Sequence, residues 1–132
     1  MSEENVEIVR RAWEASLRHD NEAAFALYDP QIEIEPKRES VDTHTYQGRE
    51  GVQEFWRDML SAFADMTSEV EEWIDAGDQV IAMVRSYGRG RHSGVLVDTL
   101  EGHLWTVRDR KLLRLQIFDT KSEALEAAGL SE

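Results

Sequence analysis

Hydrophobic positions along the chain keep two different spacings, and the change between them divides it into a helical first half and a sheet-forming second half. Val6, Val9, Ala12, Trp13 and Leu17 recur at intervals of three and four, which places them on one face of a helix. Ser2 can cap that helix, and Glu3 and Glu4 suit its positive end. Asp20 and Asn21 interrupt the run and restart it as a short helix with Phe25, Leu27 and Tyr28 turned inward, ended by Pro30. Residues 31–36 alternate strictly, so Ile32 and Ile34 share one face of a strand and Glu33 and Glu35 the other. From Lys37 to Gln47 no period survives, which predicts a loop over the mouth of any pocket. Gly48 to Gly51 opens a third helix whose stripe is Val52, Phe55, Trp56, Met59, Leu60 and Phe63.

Beyond this point the pattern becomes strand-like. Runs at 69–75, 79–87, 95–107 and 112–118 are separated by the turn Ala76-Gly77-Asp78, the glycine-rich break GRGRHSG and a short connection after Arg108. Both faces of the later strands carry apolar side chains, whereas an antiparallel meander with one wet face needs only one. Helices cover one face; a second copy of the chain, a homodimer joined through the outer sheet face, is the simplest cover for the other. Thr120 to Glu123 has the form of a capping box, and a short helix at 124–128 stops at Gly129. The expected fold is therefore α+β: three helices on a curved, mostly antiparallel sheet that encloses a pocket, with a short C-terminal helix, in one domain spanning 1–132.

The strands then nominate the pocket walls. His103 sits mid-strand, two residues from Trp105 and on its face by alternation. An odd-length connection after Arg108, or a bulge, brings Leu113, Leu115, Ile117 and Asp119 to that face; a plain two-residue turn brings Leu112, Arg114, Gln116 and Phe118. The first arrangement is the expectation, since it makes an apolar wall ending in one acid. The same odd-to-odd register across GRGRHSG turns Met83, Arg85 and Tyr87 inward, where Arg85 either anchors an anionic oxygen or pairs with one of the 27 acids. Trp13, Tyr28 and Trp56 are the aromatic candidates from the helical half. Glu35, just before Pro36, is a candidate base if its carboxylate enters an apolar cavity, and a solvated edge residue otherwise.

Composition narrows the chemistry. With 15 basic against 27 acidic residues the net charge is −12, which repels nucleic-acid backbones and anionic membrane surfaces. No cysteine is present, so disulfides, thiolate metal sites and cysteine nucleophiles are excluded. His19, His44, His92 and His103 show no ligand spacing, and neither a metal nor a cofactor is expected. No Gly-x-Ser-x-Gly elbow occurs, and Gly88, Gly90 and Gly94 join two strands in a spacing unlike a dinucleotide fingerprint. The acidic N-terminus lacks the basic start and apolar stretch of a secretory signal, so a cytoplasmic location is expected.

The helix pair with EAAFALY, the strand IEIEP, the segment YQGREGVQEFW, the turn DAGDQV, the strand GHLWTV and the closing LQIFDTKSEALEAAGL occur in an order that resembles the SnoaL-like polyketide cyclase and ketosteroid isomerase relatives within the nuclear transport factor 2-like superfamily. The resemblance implies a cone of helices and curved sheet around a pocket, commonly dimeric. It assigns the general base to Glu35 and an oxyanion donor to His103, where the isomerases carry a carboxylic acid. The other donor of those isomerases, a tyrosine, has its place near Ala12 and is missing. Asp119 is the substitute for the acid of the cyclases, and Arg85 with Asp119 supplies part of the set an epoxide hydrolase would need. The expected ligand is a small apolar organic molecule, with Trp13, Tyr28, Trp56, Met83, Arg85, Trp105, Leu115 and Ile117 around it. Acid–base catalysis and ligand binding without chemistry are the two functions this leaves open.

Overall fold

In the computed structural model, which describes residues 2–37 and 44–130, the helical half becomes α1 (Ser2–Leu17), α2 (Asn21–Leu27) and α3 (Gly48–Ala62). The expected cap by the Ser2 side chain and the loop segment 38–43 lie outside what is described. On α1 the buried stripe is Ile8, Val9, Ala12 and Ala15, while Leu17 is exposed. Two residues past Ala15, Leu17 points roughly 200° away from that stripe. The α2 cap is as expected: Asp20 Oδ1 accepts a hydrogen bond from the Ala23 amide at 3.1 Å. The helix stops at Leu27, three residues before Pro30, and β1 (Tyr28–Pro36) begins at once. The proline favours an extended residue before it, which carries Asp29 into the strand.

The two-residue β2 (Tyr46–Gln47) pairs with β1 where a loop was expected. Phe63, which continues the helical spacing of α3, instead opens β3 (Phe63–Ala76). The sheet is completed by β4 (Gln79–Gly90), β5 (Leu96–Arg108) and β6 (Lys111–Phe118), and α4 (Lys121–Ala127) follows. Strand order is β2-β1-β6-β5-β4-β3, with β1 and β6 parallel and all other neighbours antiparallel.

Register decides which side chains meet the helices. Arg108 pairs with Lys111 across a two-residue turn in which both Asp109 and Arg110 have positive φ, and that turn alone would have turned Leu115 outward. A bulge restores it: the pairing shifts between Thr106 and Val107, with Val107 opposite Leu112 and Thr106 opposite Arg114. Ile117 then stands opposite His103 and Leu115 opposite Trp105, on the expected face.

Across the β4–β5 hairpin the odd-to-odd expectation is wrong. Ala82 pairs with His103 and Val80 with Trp105, so even-numbered β4 residues face the helices and Met83, Arg85 and Tyr87 face away. Parity across a hairpin follows the number of loop residues, and here odd positions pair with even ones. Met83 accordingly packs with Ile81 and Leu104 beneath Ala124 and Leu125 of α4. This helix sits so close to the sheet that a Cβ on Gly102 would lie 2.7 Å from that of Ala124. Part of the outer face is thus covered within the chain, while Tyr87, Leu96 and Leu100 remain exposed farther along it.

Candidate ligand site

The larger hydrophobic core lies between α1, α3 and the inner sheet face, and it does not close completely. A cavity of about 40 Å³ is left, lined by Ala12, Trp13 and Ser16 of α1, Tyr28, Ile32 and Ile34 of β1, Val52, Phe55 and Trp56 of α3, His103 and Trp105 of β5, and Leu115 of β6. Each strand contributes through its alternation and each helix through its i, i+3, i+4 stripe. Such a space takes about one to three waters, whereas ligand pockets run to roughly 300–1,000 Å³. A ligand must therefore displace wall side chains. Trp56, 41% exposed at the rim, is the most easily displaced large one.

Polar groups in this wall are few. Burial pushes the Tyr28 phenol above the ordinary range, an effect that the neighbouring Ser16 side chain partly offsets. The Tyr28 hydroxyl thus stays protonated and available as a donor. Its ring lies nearly parallel to that of Trp105, with centroids 6.5 Å apart and 11° between planes. Among the described residues His103 and Tyr28 are the ionisable side chains of the lining. His103 Nε2 lies 3.4 Å from Glu101 Oε1, a long hydrogen bond, and both side chains are largely buried, with 13% and 14% exposure. Glu101 escaped the sequence reading, although its signal was present: it precedes His103 by two on the same strand, so alternation puts both on one face.

Other expected residues are placed elsewhere. Glu35 points away from the cavity, since Ile32 and Ile34 take the inward positions of β1. Its carboxylate lies 3.3 Å from Arg114 Nε and 3.5 Å from Lys37 Nζ on the outer face, so it cannot serve as a base in this cavity. Arg85 is bound outside too: Nε donates to Glu71 at 2.6 Å and Nη1 to Asp98 at 3.0 Å, and these two carboxylates hold its guanidinium even more firmly charged. Met83 lies beneath α4, and neither Asp119, just after β6, nor Ile117 is among the lining residues. Ile117 instead belongs to the buried core beside the cavity. The structure therefore brings together Trp13, Tyr28, Trp56, His103, Trp105 and Leu115, and separates them from Glu35, Met83, Arg85 and Asp119. Among the described residues no group of three or more His, Asp or Glu side chains forms a metal site, and no helix is long and apolar enough to cross a membrane.

This architecture is that of the nuclear transport factor 2-like proteins. Residues 9–115 match the SnoaL-like domain, and the chain belongs to that family. No curated protein matches its sequence. Among solved structures it is similar to an NTF2-like protein of Burkholderia xenovorans at 18% identity, covering 97% of this chain and 98% of the other with a TM-score of 0.78. An NTF2-like protein of Burkholderia thailandensis is 28% identical, with 94% and 95% covered and a TM-score of 0.77. A Mycobacterium tuberculosis protein in complex with estradiol-17β-hemisuccinate is 19% identical, with 87% and 92% covered and a TM-score of 0.69.

Proposed function

We propose that the chain binds a small, largely apolar organic molecule in the cavity between α1, α3 and the inner sheet face, and acts on it by proton transfer through His103, in an isomerisation, cyclisation or hydrolysis. The observation that carries this is an imidazole set in a wall whose other described side chains, Ser16 apart, are aromatic or aliphatic. The fold of a neighbour that holds a steroid ester supports an organic ligand of this kind. Binding without chemistry is the second reading, favoured by the position of Glu35 outside the cavity.

Thermal-shift screening against steroid-, polyketide- and terpene-like compounds tests the site. A hit should raise the melting temperature of the wild type and not of Ala12→Leu, whose added bulk fills the cavity. Turnover of that hit, lost in His103→Ala, supports the catalytic reading; turnover unchanged in that variant removes it. We also infer a homodimer through the outer sheet face, where Tyr87, Leu96 and Leu100 are 41%, 72% and 37% exposed. Sedimentation should give a dimer that Leu96→Glu with Leu100→Glu dissociates, and a monomeric wild type contradicts it.

A further inference from the structure

Resting on the pocket function above, we propose that Glu101 and His103 form a carboxylate–imidazole dyad in which His103 Nδ1 takes the proton of a weakly acidic, uncharged ligand. Three features of β5 and its neighbours lead there. Alternation puts both side chains on the inner face, Nε2 reaches the Glu101 carboxylate, and both groups are largely buried. The residues opposite His103, Ala82 on β4 and Ile117 on β6, have side chains that neither donate nor accept hydrogen bonds, and Val84 opposite Glu101 has none either. Glu101 is thus the side chain beside the ring that can choose its tautomer. A proton on Nε2 donated to the carboxylate leaves the lone pair on Nδ1, which has no hydrogen-bond partner among the described residues.

The same wall selects the ligand class. Among the described residues the lining contains neither lysine nor arginine, and a carboxylate stands behind the imidazole, so a ligand that arrives as an anion meets no counter-charge from them. A neutral acid avoids that cost: a phenol, an enol, or a carbon acid beside a carbonyl. Its O–H or C–H bond breaks, the bonding pair stays on the ligand as an anion, and the proton forms a new N–H bond at Nδ1. Imidazolium and ligand anion appear together, with Glu101 remaining a carboxylate beside the new cation, and return of the proton to another ligand atom restores the neutral ring. Tyr28, protonated and buried in the same cavity, is the donor available to the anionic oxygen. Glu101 acts through His103 and is a positioning residue; His103 is the group that touches the ligand.

Two measurements test the dyad. The first titrates the protein with 4-nitrophenol at a pH where the free probe is mostly undissociated. Bound to the wild type the probe should show its phenolate absorption; the phenolate fraction of the bound probe should fall roughly tenfold in Glu101→Gln and vanish in His103→Ala. A bound probe that stays undissociated in the wild type, or a phenolate fraction unchanged in Glu101→Gln, overturns the proposal. The second needs no ligand: nitrogen-15 spectra of the imidazole should show the Nε2–H tautomer in the wild type and lose that preference in Glu101→Leu. An Nδ1–H ring in the wild type overturns the dyad. Failure of the wild type to bind the probe counts against the pocket function, and the tautomer then decides the dyad by itself.

Discussion

The rings of Tyr28 and Trp105 lie nearly parallel across the cavity wall, tying the start of β1 to the C-terminal part of β5. Both residues are buried, at 4% and 8% exposure. Trp105→Ala removes the larger ring and leaves a void that the sheet cannot close, at a cost of about 3–5 kcal/mol. Urea denaturation should show a correspondingly lower midpoint. A loss under about 1 kcal/mol would mean that Trp105 is not part of the packed wall.

Tyr28 also gives stability an alkaline limit. Its phenol titrates above its ordinary value of 10.0 in the folded chain because burial disfavours the phenolate. The unfolded chain therefore releases this proton first as pH rises past about 10, and the folded state loses stability between that point and the raised folded value. Tyr28→Phe removes the linkage, so its denaturation midpoint should fall less steeply above pH 10 than that of the wild type. Identical slopes would contradict the buried, protonated hydroxyl.

Glu35 should be dispensable to the pocket. Its partners Arg114 and Lys37 are both half-exposed, and pairs of that kind contribute about 0–1 kcal/mol. Glu35→Gln should leave ligand affinity and any turnover within about twofold of wild type and shift stability by no more than that amount. Loss of turnover with the fold intact would return Glu35 to the site.

How much of this was legible in the sequence depended on which physical signal each residue carried. The alternation of Ile32 and Ile34 with Glu33 and Glu35 shows the inner face of β1 directly; the inward reading of Glu35, from its place before Pro36 and from the family resemblance, runs against that alternation. The placement of Leu115 beside Trp105 was legible because an apolar wall demanded it, although the bulge that delivers it leaves no mark in the residues. Met83 and Arg85 were misplaced because alternation gives two faces and says nothing of which one the hairpin turns inward. Phe63 reads as helical in the sequence because its spacing continues the α3 stripe, yet it opens β3. Glu101 differs from these: its signal is joint, an acid two residues before a mid-strand histidine and so on the same face, and neither residue carries it alone.

The central claim is that the cavity beside His103 is where the ligand binds. Three of the four tryptophans line it, Trp13, Trp56 and Trp105, while Trp73 lies outside that lining, on β3. Indole N–H resonances of the protein, followed during titration with a hit from the screen or with 4-nitrophenol, report on all four at once. Shifts at Trp13, Trp56 and Trp105 with Trp73 unmoved are the predicted result. Saturable binding that moves Trp73 alone, or none of the four, would contradict it.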